Sequence, residues 1–262
     1  MEISVLSDKD NTLKILLENA KPSDANALRR IILGEVPVLA VDDVIIHKNS
    51  SPLFDEALAH RIGLMPIRID AIDLDRLNFR EECSCKGEGC AECTINFSLD
   101  IEGPTTAYSH DFKSEDPEIT PVEGIPIVKL GKNQKVVLDS EAVLGRGREH
   151  AKWQPAVVGY KYYPVITIDE NCTGCEECVK SCPRGILTFE EGKVHVNNIE
   201  NCSICKACAD VCEDGVIVVK GDPTKFIFTL EGLGSVEPME IFKTACDVIV
   251  EKIDKLYELI KP

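Results

Sequence analysis

Cys172-Thr173-Gly174-Cys175-Glu176-Glu177-Cys178-Val179-Lys180-Ser181-Cys182-Pro183 is answered thirty positions later by Cys202-Ser203-Ile204-Cys205-Lys206-Ala207-Cys208-Ala209-Asp210-Val211-Cys212. Each stretch spaces its cysteines x2-x2-x3, the ligand run of a two-cluster iron–sulfur unit. In such a unit the first three thiolates of a run wrap one cubane, and the fourth points away toward the other. The spacing therefore assigns Cys172, Cys175, Cys178 and Cys212 to one 4Fe–4S cluster, and Cys202, Cys205, Cys208 and Cys182 to a second. A zinc site asks for four ligands in two pairs and has no use for this run repeated. The odd total of thirteen cysteines also speaks against a complete disulfide framework. Pro183 follows Cys182, whereas Glu213 follows Cys212, a difference that removes no ligand.

A chain of 262 residues has room for one large domain or two to three small ones, and 44% apolar and 5% aromatic residues are those of an ordinary folded protein. The first residues carry acids and no apolar signal-peptide segment, and no window has the length and apolarity of a membrane span. A cytoplasmic location is expected, where thiols stay reduced and clustered cysteines hold metal. The net charge of −16 repels phosphate backbones. Within 166–222 five basic residues face eleven acids, so neither sequence-specific DNA binding nor membrane attachment is expected.

Outward from the cysteine runs the pattern is α+β. The N-terminus reads as strand, turn, strand, with Ile3 and Val5, then Leu13, Ile15 and Leu17, alternating around a turn at 7–11. Ser23 is placed to cap a helix on which Leu28, Ile31, Ile32 and Glu35 recur at helical period, closed by Gly34 and Pro37. A β-branched run follows at 40–47. Residues 48–165 change texture: proline and glycine interrupt short strand-like runs, with a helix around 53–62, as in a β-rich domain. A strand at 225–231 and a turn at 232–235 lead to a helix from Pro238 of about 23 residues, roughly 35 Å long. Its stripe of Ile241, Phe242, Ala245, Cys246, Ile249, Ile253, Leu256 and Ile260 exceeds what a thin strand layer covers, which points to a partner subunit's helix.

The stretch Asn26-Ala27-Leu28-Arg29-Arg30-Ile31-Ile32-Leu33 resembles the signature of the RNA polymerase alpha-like family, which includes the bacterial alpha subunit and its archaeal counterpart. Ala59–Ile67 and Leu144–Pro155 are similar to the archaeal and eukaryotic branch, and Phe226–Ile260 to the second half of the family's dimerisation domain. The resemblance implies a split dimerisation domain (1–47 with 223–262), an insert domain (48–165) and a ferredoxin-like domain (166–222). It implies pairing with the small subunit L, giving a platform for the large catalytic subunits and other assembly partners. Leu28, Arg29, Arg30, Ile31, Phe228, Phe242, Ile249, Ile253 and Leu256 are the expected interface residues.

Cys83-x-Cys85-x4-Cys90-x2-Cys93, with Gly87 and Gly89 between, offers four soft ligands to one zinc ion, and the eukaryotic counterpart is similar there. Catalysis by the chain itself is not expected. Asp70, Asp73 and Asp75 stand in a segment that reads as a polar turn or exposed helix, without a phosphate-binding loop. His60 and His150 sit inside family signatures, with structural or interface contacts expected rather than proton transfer. The clusters are read as structural or redox-regulatory; the alternative is a ferredoxin-type electron carrier, which needs little beyond residues 166–222.

Overall fold

The computed structural model describes residues 1–70, 74 and 76–261, so Asp73 and Asp75 lie outside the described residues. The opening hairpin pairs β1 (Glu2–Lys9) with β2 (Thr12–Glu18). It turns at Asp10 and Asn11, at φ 51° and 57°. The turn is tighter than 7–11, because both residues tolerate left-handed backbone and Ser7 to Lys9 stay extended. The first helix, α1 (Pro22–Gly34), corrects the capping assignment: Ser23 lies inside it. Pro22 brings a preset φ to the first position, and the Asp24 carboxylate accepts the Lys21 N–H at 2.9 Å.

Then come β3 (Pro37–Asn49), α2 (Asp55–Gly63), β4 (Ile67–Arg68), β5 (Ile95–Glu102), β6 (Thr105–Tyr108), β7 (Lys113–Ser114), β8 (Thr120–Pro121), β9 (Pro126–Leu130), β10 (Lys135–Arg146) and β11 (Ala156–Ile168). The cysteine-rich stretch holds α3 (Glu177–Ser181), β12 (Leu187–Glu190), β13 (Lys193–Val196) and α4 (Ala207–Asp210). The chain closes with β14 (Ile217–Gly232) and α5 (Pro238–Ile260).

Packing divides the chain into two compact units: Met1–Ser7, Lys14–Asn26 and Gly159–Thr229; and Asp8–Leu13, Ala27–Val158 and Leu230–Pro262. The first is organised by the sheet β1-β2-β14-β11. Phe226 and Phe228 on β14 are fully buried. Tyr160 on β11 meets Phe226 edge-on at 6.0 Å and lies parallel to Phe228 at 6.4 Å. β14 is longer than the expected 225–231, because it passes through Gly221-Asp222-Pro223, which reads as a break. The Asp222 carboxylate accepts the Thr224 N–H at 2.8 Å, so a local turn is absorbed within one strand. Gly221 is required there, since a Cβ would stand 2.5 Å from that of Tyr162.

β11 and β14 carry on into a cysteine-rich lobe. Its buried core is Cys178, Ile186, Leu187, Cys202, Cys208, Ile217 and Val219, with Ile166 and Ile168 packed against it. At its base the Asp169 N–H donates to the Val216 carbonyl at 2.9 Å.

The second unit is built on the sheet β3-β10-β5-β7. β10 runs antiparallel to β3 (Leu144 opposite Leu39) and to β5 (Leu138 opposite Leu99). The Leu144–Pro155 signature is a packed corner. The Trp153 indole donates to the Val143 carbonyl at 3.2 Å, and Lys152 donates to the Val41 carbonyl at 3.0 Å while lying over the Trp153 ring. Its glycines are steric necessities: a Cβ on Gly145 would stand 2.3 Å from the Trp153 ring, and one on Gly147 1.9 Å from the Leu33 carbonyl oxygen. Gly147→Ala is accordingly expected to cost about 2–3 kcal/mol by overpacking, a fall in Tm of about 5–10 °C. A shift below about 2 °C in a thermal melt would show that α1 yields freely there.

On α5, Ile241 and Ala245 are fully buried and Phe242 nearly so. From Val250 onward every described residue of the helix is exposed, including Ile253, Leu256, Tyr257, Leu259 and Ile260. The apolar stripe is core through Ala245, half-buried at Cys246 and Ile249, and uncovered from Val250 onward.

Candidate metal centres

The two cysteine runs fold alike because their backbones bend at matching places. Gly174 and Glu176 in the first run, and Ile204 and Lys206 in the second, all have φ between 57° and 72°. Gly185 and Gly215, three residues past Cys182 and Cys212, repeat the correspondence at 59° and 63°. These bends coil each loop, and the first three cysteines of each run line one cavity. Ile204 is β-branched and adopts this region at a cost; its N–H donates to the Cys202 sulfur at 3.4 Å. The short helices α3 and α4 then carry Cys178 and Cys208 into the lobe's core.

The eight thiols surround two cavities, and each cavity draws on both runs. The larger, about 340 Å³, is lined by Cys172, Cys175, Cys178 and Cys212. The smaller, about 10 Å³, is lined by Cys182, Cys202, Cys205 and Cys208. Burial raises the pKa of Cys178, and the neighbouring Cys172 and Cys175 add to the shift. Burial likewise raises Cys208, with Cys182 and Cys202 adding. Thiolates so crowded repel one another until a cation sits among them. Four cysteines lining one cavity, twice over, fit iron–sulfur binding.

The surroundings of the two cavities differ in charge. Glu176, Glu177, Glu213 and Asp214 line the larger. Arg184 and Lys206 line the smaller. Lys161 on β11 reaches the backbone behind it, its ammonium donating to the carbonyls of Glu200 at 2.6 Å and Cys202 at 2.7 Å. Burial lowers the Lys161 pKa, partly offset by the Cys202 thiolate. Nothing in the sequence marks Lys161, since it is one lysine in a strand far from any cysteine motif.

The third cysteine group is a different object. The sulfurs of Cys83, Cys85, Cys90 and Cys93 all lie within 4.8 Å of one another. Three separations are 3.5 Å (Cys83–Cys90), 3.6 Å (Cys85–Cys93) and 3.8 Å (Cys90–Cys93). Positive φ at Lys86, Gly87 and Gly89 reverses the chain between the pairs. Arg80 anchors the loop, donating to the Gly87 carbonyl at 3.1 Å and pairing at 3.4 Å with Asp43 of β3 and Glu141 of β10. Burial raises the Cys85 thiol, but hydrogen bonds from Gly89, Cys83, Cys93 and Gly87 outweigh it and bring the pKa down to about 6. At Cys90 the bond from Glu92 is overcome by its thiol neighbours and burial, and the pKa is pushed up to about 12. The Cys85 thiol so lowered presents a ready thiolate to a metal ion.

The expected interface residues separate by burial. Leu28, Phe228 and Phe242 are buried within the chain. Arg29 is also engaged internally, its guanidinium donating to the Val158 carbonyl at 3.1 Å. Arg30, Ile253 and Leu256 are exposed, and Ile31 and Ile249 half-buried. His150 has a structural part, its ring nitrogen accepting the Lys152 N–H at 3.0 Å. No helix among the described residues is long and apolar enough to cross a membrane.

Residues 44–170 match the family described as the RNA polymerase Rpb3/RpoA insert domain, and residues 171–216 that of the 4Fe-4S dicluster domain. A protein of Archaeoglobus fulgidus named DNA-directed RNA polymerase subunit Rpo3 is 45% identical over 262 residues, spanning 99% of this chain and 98% of its own. Proteins of the same name from Methanothermobacter thermautotrophicus and Pyrococcus furiosus are 43% identical over 258 residues and 38% identical over 260. These alignments span 98% and 97% of this chain, and 97% and 95% of the relatives. Identity of this depth from end to end settles the descent of the cysteine lobe and of the fold that carries it: the chain belongs to the Rpo3 family of DNA-directed RNA polymerase subunits.

Proposed function

We propose that the chain is a non-catalytic assembly subunit of an archaeal DNA-directed RNA polymerase, pairing with the small subunit L to form the platform for the large catalytic subunits. The observation that carries this reading is the uncovered half of α5, where Ile253, Leu256, Tyr257, Leu259 and Ile260 are 58–83% exposed. An apolar surface of this kind on a terminal helix has an interface as its purpose. Residues 1–47 with 223–262 form the dimerisation domain in this reading, 48–165 the insert domain and 166–222 the ferredoxin-like domain. The platform works in the cytoplasm and makes no sequence-specific contact with DNA. Co-expression with the small subunit tests it: a one-to-one complex that then recruits the large subunits is expected. A solitary chain that cycles electrons with a redox enzyme would favour an electron carrier instead.

The cofactors are two 4Fe–4S clusters, held by Cys172, Cys175, Cys178 and Cys212 and by Cys202, Cys205, Cys208 and Cys182, and one zinc ion at Cys83, Cys85, Cys90 and Cys93. Tetrahedral zinc with bonds of about 2.3 Å sets its sulfurs about 3.8 Å apart, close to the observed spacings. Zinc would tie the loop together and supply folding energy to it. The double variant Cys85→Ser/Cys90→Ser should lose about one zinc per chain with iron unchanged. Its Tm should fall by about 5 °C, equivalent to about 2 kcal/mol. Unaltered zinc content by metal analysis would remove the assignment.

A further inference from the structure

We propose that the two clusters differ in reduction potential, that the one held by Cys182, Cys202, Cys205 and Cys208 accepts an electron first, and that Lys161 sets this order. The inference rests on the two-cluster reading above and concerns what the chain does to each cluster.

A cubane with four thiolate ligands becomes more negative by one charge when it takes up one electron. Nearby cations therefore ease its reduction and nearby carboxylates hinder it. Arg184 and Lys206 line the cavity of the second cluster. Lys161 stands behind it, fixed by two carbonyls at 2.6 and 2.7 Å, one of them belonging to the ligand Cys202. The cavity of the first cluster meets four carboxylates, those of Glu176, Glu177, Glu213 and Asp214.

Solvent acts in the opposite sense, since water at the open first cavity also accommodates added negative charge. Charge decides the order for two reasons. Lys180, paired with Glu177 at 2.8 Å, offsets one carboxylate at the first site, and Asp210 and Glu200 offset two cations at the second; the net signs remain opposed, so their effects on the difference add. The half-buried Lys161 acts where little water screens it. Lys161 touches backbone and not cluster, which makes it a positioning residue. It holds Cys202 in place and keeps a cation from swinging away.

Potentiometric titration of the full chain, with dithionite as electron donor and the reduced clusters counted by EPR, tests the order. Wild type should show two one-electron steps at least tenfold apart in equilibrium constant, which is 59 mV. Lys161→Met should lower the upper step and leave the lower one in place, and Lys161→Arg should restore it. Glu213→Gln should raise the lower step alone. If Lys161→Met fails to retain its second cluster, Arg184→Gln at the same cavity is expected to lower the upper step. Coincident steps in wild type, or a Lys161→Met effect on the lower step, would overturn the inference. Fewer than two reducible clusters in wild type would instead remove the two-cluster reading, and this inference with it.

Discussion

The double substitution Ile253→Glu/Leu256→Glu is expected to abolish pairing with the small subunit while leaving the isolated chain folded and loaded with iron. Both side chains are more than half exposed, at 59% and 58%, so charge there costs the monomer little. In a complex each would bury an apolar surface worth about 1.5–3 kcal/mol. Two carboxylates forced into such an interface add a desolvation penalty of several kcal/mol. Together these weaken the Kd by a factor of roughly 1,000 or more. Size-exclusion chromatography of the co-expressed subunits reads the effect, with circular dichroism of the variant as the folding control. A pair that survives with Kd within tenfold of wild type would place the docking face elsewhere. Ile241→Glu makes the contrast: that residue is fully buried, and the substitution should unfold the chain itself.

Cys205→Ser/Cys208→Ser carries the other large effect. Iron should fall from about eight to about four atoms per chain, and the lobe should become sensitive to protease between Asp169 and Val216. Cys202 and Cys208 belong to the lobe's small core, so losing their cluster removes the metal from a domain with few other buried residues. Pairing through α5 is expected to persist, because α5 belongs to the other compact unit. Recovery of the complete polymerase is expected to drop, since the lobe's core extends onto β11 and β14 of the sheet β1-β2-β14-β11. Normal yields of both the pair and the polymerase would exclude cluster-dependent assembly.

Much of this is readable from residue types alone, for reasons that differ by element. The two cysteine runs stand out because cluster coordination imposes a spacing that few other uses require. α5 is legible in start and length because Pro238 marks its first turn and its apolar period runs unbroken to Ile260. Burial within that stripe is not legible: Ile241 and Ile253 look alike in sequence, and only the tertiary fold leaves one covered and the other bare. β14 reads short because Gly221-Asp222-Pro223 carries turn chemistry that a long strand here accommodates. Apolar and guanidinium groups serve core and docking equally well, so the burial of Phe228 and the bond from Arg29 to the Val158 carbonyl are not legible either. Lys161 meets the second cavity only on folding, from a strand outside the cysteine runs.

The hydrogen bond from Asp169 to Val216 places the entrance and exit of the cysteine lobe side by side. A module whose two ends meet in this way is detachable in principle. Excising 170–215 and bridging the gap with a few glycines would leave the neighbouring strands of the sheet in register. Ile166, Ile168, Ile217 and Val219, which the lobe covers, would then need polar replacements on the two strands.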